Sequence, residues 1–169
     1  MTLRDDIPDR RRPVRRARMP LLDRLLDADA GASAPAVPTT ADALDALRAA
    51  VRRDLEALLN ARRRRRPLPR IYGELSTSIL NYGIPDPTSG AFAVPELREG
   101  LVREIEASIR RFEPRLSDIV VSLIEAEDWL GASLRMRVSA ILRADPVPEP
   151  VSFETLLEPV TRDVTVREG

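Results

Sequence analysis

The apolar positions fall into two different periods along the chain, and the change of period divides it. The first ordered pattern is Leu21, Leu22, Leu25 and Leu26, spaced i, i+1, i+4, i+5 and broken by Asp23 and Arg24. This is one stripe of a short amphipathic helix over about 21–27. A helix this short is not stable alone. It must dock on its own domain or on another subunit, and its isolation by the Ala- and Pro-rich linker at 28–38 favours a partner. A long helix is predicted from about 41 to 61, with Leu44, Leu47, Val51, Leu55, Leu58 and Leu59 on one face. Thr39 or Thr40 can cap it, and Asp42 favours the positive end of its dipole. A second helix is predicted from about 94 to 112, carried by Val94, Leu97, Leu101, Val102, Ile105, Ile109 and Phe112. Pro95 suits its first turn. Its glutamates, Glu96, Glu99, Glu104 and Glu106, precede Arg110 and Arg111, the order that matches the dipole.

After residue 116 the period becomes two. Residues 118–126, with Ile119, Val120, Val121, Leu123 and Ile124, read as a strand buried on much of both faces. A turn follows at 127–132, with Asp128 and Gly131. Residues 133–143 alternate: Leu134, Met136, Val138, Ala140 and Leu142 on one face, Arg135, Arg137, Ser139 and Arg143 on the other. That pattern predicts a half-buried antiparallel partner. Pro146, Pro148 and Pro150 form a stiff connection to two shorter strands, Val151 to Leu157 and Arg162 to Val166. The last is expected at an edge, with Val164 and Val166 free to pair with another chain. The predicted fold is α+β: two main amphipathic helices packed on a small, mainly antiparallel sheet of about four strands. It occupies 39–169 as a single domain behind a tail at 1–38, whose charged, aperiodic first twenty or so residues are expected to be disordered.

Composition removes many chemistries. The chain has neither histidine nor cysteine, which excludes thiol nucleophiles, Ser-His-Asp triads, zinc fingers and disulfide scaffolds. None of its seven glycines falls in a phosphate-binding frame. No metal or cofactor is expected. There is no lysine, so all 27 basic residues are arginine, balanced by 27 acids. A neutral chain is a poor general nucleic-acid binder. No stretch is long and apolar enough for a signal peptide or a membrane span, so a cytoplasmic protein is expected.

Two regions between the helices stand out. The run Arg62 to Arg66 reads most simply as a solvated helix terminus and loop, with an acidic protein partner as the functional alternative. Tyr72 and Tyr82 are expected to tack the following connection, which has room for one helical turn, to the core. The third region is Phe112-Glu113-Pro114-Arg115-Leu116, at the change of period. Pro114 pushes Glu113 out of helical conformation, so the helix should end there. Glu113 and Arg115 then flank a rigid corner, able to pair with each other or to grip a partner.

Four segments in order, Leu21-Leu22-Asp23-Arg24-Leu25, Leu58-Leu59-Asn60-Ala61-Arg62, Asn81-Tyr82-Gly83-Ile84-Pro85-Asp86 and Phe112-Glu113-Pro114-Arg115-Leu116, resemble the TssE family. These are baseplate wedge subunits of the bacterial type VI secretion system, similar to the wedge protein that starts the sheath in contractile-tailed phages. The resemblance covers about residues 20–167. It departs at Ala61, where the family often has Thr, and at the arginine-rich Arg62 to Arg66. It implies a non-catalytic, cytoplasmic structural subunit joined to TssF and TssG, with TssK as a further contact, on which the TssB–TssC sheath polymerises. It also implies that Glu113, Pro114 and Arg115 hold neighbouring wedge components, and that the C-terminal strands offer the first sheath ring a sheet to extend.

The family has been called lysozyme-like, so a carboxylate-pair peptidoglycan hydrolase is the rival class. Glu113 would need a second acid, Asp118, Glu125 or Asp128, across a sugar cleft. Arg115 beside Glu113 favours an ionised carboxylate, the wrong state for a general acid. Only 4% of the chain is aromatic, with one tryptophan, Trp129, which is little to line a glycan cleft. Nucleic-acid binding through Arg62 to Arg66 lacks an aromatic platform.

Overall fold

Thr39 starts the first helix. In the computed structural model, which describes residues 39–64, 68–69, 71–86, 94–124, 133–145, 147–158, 161 and 163–169 together with Leu22 and Leu25, α1 spans Thr40–Asn60. The Thr39 hydroxyl accepts the Asp42 N–H, and the Asp42 carboxylate accepts the Thr39 N–H at 2.9 Å, a reciprocal capping box. The Thr39 hydroxyl also donates to the Asp42 carboxylate at 2.7 Å, and this bond first, then that of the Thr39 N–H, holds the Asp42 carboxyl below its ordinary value. Val51, Leu55, Leu58 and Leu59 are the buried face of α1. The second helix, α2, spans Pro95–Phe112, with Pro95 in its first turn and Leu101, Ile105 and Ile109 buried.

Four antiparallel strands follow, paired in chain order: β1 Leu116–Ile124, β2 Leu134–Leu142, β3 Glu149–Leu157 and β4 Val164–Glu168. Alternation sorts the sheet into two faces. Leu134, Met136, Val138, Ala140, Leu142, Phe153, Leu157, Val164 and Val166 join the buried residues of both helices in one core. Arg135, Arg137, Glu154, Thr165 and Arg167 are exposed on the other face, where Arg137 pairs with Glu154 at 2.8 Å.

Two strands differ from the sequence reading. β1 starts at Leu116, two residues early, and is buried on one face only, with Val120 58% exposed. The cause is a bulge. Asp118 adopts a positive φ of 50°, and the pairing with β2 jumps between Ser117 and Val120. The extra residue lets Leu116, Ile119 and Val121 all face inward, so three consecutive β-branched residues mimicked a strand buried on both sides. Asp tolerates this left-handed conformation better than a branched residue would. β3 begins at Glu149 and takes in Pro150, which had been read as connection. Gly169 N donates to Ser152 O, so the even-numbered residues of β3 turn their backbone groups toward β4. Pro150 faces that way beyond the paired part of β4, and its missing N–H costs no ladder bond.

The chain between the helices closes on itself at its neck. Arg63 N donates to Ile84 O at 2.8 Å and Ile84 N to Ala61 O at 3.0 Å, a single parallel bridge. Gly83 makes this approach possible. Its φ is +98°, and a Cβ there would sit 2.3 Å from the Ala61 carbonyl oxygen. Beyond the neck lie two short 3-10 turns, Gly73–Thr77 and Ile79–Asn81, in place of the one helical turn expected. Tyr82 meets Phe112 edge to face with ring centroids 5.3 Å apart, so it does tack the loop to α2. Tyr72 does not: it is 60% exposed. The tail at 1–20, the linker at 28–38, the turn at 127–132, Leu21, Leu26, Arg65 and Arg66 lie outside the described residues.

Candidate functional site

The corner between α2 and β1 is built by Pro114. Glu113, ahead of it, has φ −120° and ψ 76°, outside the helical region, while its N–H still closes the last turn on Ile109 O at 2.8 Å. Leu116 N bonds back to Glu113 O at 3.1 Å, and Arg143 N reaches Arg115 O at 2.8 Å, fixing the corner to the end of β2.

This geometry turns the Glu113 side chain inward, to 4% exposure. Its charge is met by Arg115. Nε donates to Oε1 at 2.6 Å and Nη2 to Oε2 at 2.5 Å, a two-pronged pair that lysine could not make. The Arg115 N–H adds a bond to Oε1 at 3.3 Å. Nη2 also reaches Asp54 Oδ2 at 2.6 Å, tying the corner to the middle of α1. The bond to Glu113 chiefly, and then Asp54, hold the guanidinium far more firmly protonated than usual, against the opposing effect of burial. Tyr82 lies beside this group. Burial first, and then the charges of Asp54 and Glu113, raise its hydroxyl above its ordinary value.

Chemically, this is a held cation rather than a proton donor. Both oxygens of Glu113 are already occupied by the guanidinium, so neither is free to protonate a leaving group. Asp118 is exposed in the bulge of β1, and Glu125, Asp128 and Trp129 lie outside the described residues. Among the described residues no group of acids could hold a metal ion. What the corner offers to its surroundings is Pro114, which is exposed, and the 27% of the Arg115 side chain that stays accessible.

The other residues singled out in the sequence are placed apart from the corner. Leu22 and Leu25 are helical and 54% and 73% exposed. Val164 and Val166 are buried at 3% and 1%, so their side chains hold β4 on the core. β4 is an edge strand, as expected, but its outer edge is not bare. The Asn60 side chain accepts the Val164 N–H and donates to the Val164 carbonyl, both at 2.8 Å. Arg52 Nη1 approaches Val166 O at 3.4 Å. β1, the opposite edge, is met by Arg110 at Ile119 O and by Glu106 at Val121 N, each at 3.4 Å. Helix side chains thus occupy part of both edges of the sheet.

Sequence reasoning missed Asp54 and Arg63. Arg63 reads as one of a run, yet its guanidinium binds Gly83 O, Ser108 Oγ at 2.7 Å and Glu104 at 3.0 Å. Its signal was the nearby glycine of the Asn81 to Asp86 segment, whose carbonyl it holds. Asp54 gave no signal, because nothing in a helix pattern separates a paired acid from a solvated one.

The family model for baseplate wedge protein gp25 matches residues 45–147, from the first turns of α1 to just before β3. This chain belongs to that family, the family of TssE. The match takes in every member of the corner network, Asp54, Tyr82, Glu113 and Arg115, and both sides of the neck at Arg63 and Gly83. Val164 and Val166 of β4 fall beyond it. No curated protein matches the chain. The TssE family is a structural component of baseplates, and no helix among the described residues is long and apolar enough to cross a membrane.

Proposed function

We propose that this chain is a non-catalytic wedge subunit of a type VI secretion baseplate, which joins TssF and TssG, touches TssK, and serves as the platform on which the TssB–TssC sheath polymerises in the cytoplasm. The observation that carries this reading is the family match over residues 45–147. The corner supports it. Glu113 and Asp54 hold Arg115 in place, and Pro114 with the accessible part of Arg115 forms a small rigid contact for a wedge neighbour. The Leu21, Leu22, Leu25 and Leu26 stripe is a second contact, laid into an apolar groove of a partner.

At β4, Val164 and Val166 fix the strand from within, and a sheath strand adds at its outer edge. To do so it displaces the Asn60 side chain, exchanging two side-chain bonds for ladder bonds. Hydrolysis by Glu113 is not proposed, because both of its oxygens are taken.

Co-expression with TssF and TssG from the same cell, followed by size-exclusion chromatography, tests the reading. The wild type is expected to co-elute with both, and the assembled wedge to seed TssB–TssC polymers. Failure of the wild type to co-elute would remove the reading.

A further inference from the structure

We infer that the tip of the loop between α1 and α2, formed by Ile71, Tyr72, Ile79 and Leu80, docks into an apolar groove with an acidic rim on a neighbouring protein. The inference rests on the baseplate reading and adds a surface to it.

The loop gives little to its own fold. Neither 3-10 turn contributes a buried residue. Ile71 is 83% exposed, Tyr72 60%, Ile79 85% and Leu80 50%. Scattered exposed leucines are ordinary, but four large apolar side chains exposed within residues 71–80 are the mark of an interaction surface.

The tip is also preformed. Its backbone bonds are local: Tyr72 N to Pro69 O, Leu75 N to Tyr72 O, Ser78 N to Leu75 O, Asn81 N to Ser78 O and Tyr82 N to Ile79 O. The Asn81 side chain closes it by donating to Ser76 O at 2.9 Å. The neck is cross-linked by the parallel bridge and by Arg63, which spans Gly83, Ser108 and Glu104. A surface already ordered in this way loses little conformational freedom when it binds.

Charge selects the partner. The whole chain is neutral, yet by sequence residues 62–82 carry six arginines and one acid, Glu74. Arg63 is turned inward on Gly83 O, whereas Arg64 and Arg62, which bonds Leu59 O, are exposed. Arg70 precedes Ile71 directly in the sequence, and Arg62 and Arg64 are exposed, so this positive apolar loop fits a groove bordered by carboxylates. Nucleic acid is a poorer fit, since Tyr72 is the one aromatic at the tip and isoleucine offers no stacking face.

The test places the photoreactive residue p-benzoylphenylalanine at position 72 or 79 of the full chain in its own cells, with position 139, exposed on the inner strand β2, as the control. Ultraviolet light is expected to give one protein adduct from the loop positions and none from the control, with the partner identified by mass spectrometry. The purified partner should bind the chain in a salt-sensitive manner. Ile71→Ser/Ile79→Ser should weaken binding roughly tenfold or more while keeping the wild-type circular dichroism spectrum. An adduct with TssF or TssG that meets these criteria supports both readings. An adduct with another protein that meets them supports the docking loop and counts against the baseplate reading. Adducts only with a second copy, lipid or nucleic acid, no adduct, or unchanged binding by the double variant would overturn the inference. Co-elution of the wild type with TssF and TssG would then leave the baseplate reading standing.

Discussion

Arg115→Met removes the cation that answers Glu113. The carboxylate, 4% exposed, would lose the bonds at 2.6 and 2.5 Å, and Asp54 would lose one at 2.6 Å. Breaking a buried ion pair by deleting one partner costs about 3–5 kcal/mol, because the other charge stays buried. The Arg115 side chain keeps 27% of its exposure, so water can reach part of the site and the lower end applies, about 3 kcal/mol. Against a total stability of roughly 5–15 kcal/mol this is a large change. Glu113→Gln should cost less, about 1–2 kcal/mol, since Arg115 keeps Asp54 and one neutral acceptor. Urea unfolding followed by circular dichroism, on both single variants and the double variant, measures each cost. The double variant should be less destabilised than the sum of the singles by at least about 1 kcal/mol. If Arg115→Met costs under about 1 kcal/mol, or if the two changes simply add, the corner is not held by this pair and the argument built on it fails.

Gly83→Ala puts a Cβ 2.3 Å from Ala61 O at a φ of +98°, and should lower stability by about 2–3 kcal/mol in the same denaturation assay; a wild-type midpoint would mean the neck can open freely. In a Tyr72→Phe background Tyr82 is the sole tyrosine, and its tyrosinate absorbance should appear above the ordinary tyrosine pH. Its folded value is raised, so its contribution to stability is complete below the unfolded value and is lost as pH rises through the folded one. Asp54→Asn should move the transition down part of the way, burial being the larger cause; no movement would place Asp54 outside the network.

Much of this architecture could be read from hydrophobic spacing. Both helices and all four strands follow from period, because each element must put one apolar face on a shared core. The bulge at Asp118 was hidden, since one extra residue in β1 turns an alternating strand into what looks like a run buried on both faces. The corner was legible from Pro114 set between an acid and an arginine, but the residues alone leave open whether Glu113 and Arg115 pair with each other, and they hide the third member of the group. Asp54 lies 61 residues away on α1, and only packing brings it within reach of the guanidinium. Asn60 was similarly opaque. At a helix end it looks like a terminating residue, and its role depends on where β4 passes.

The Asn60 contact with β4 has a kinetic consequence. A strand edge sealed by another strand can be opened only by pulling that strand away, with the loss of a whole ladder. Here the seal at Val164 is a single amide side chain, held by two bonds to the strand and one to Glu56 O, and anchored on a helix that need not move. Breaking those bonds and rotating that side chain uncovers the edge at Val164, a local step of one residue rather than the removal of a strand. The edge is therefore guarded against chance pairing, and strand addition as proposed above would need no unfolding.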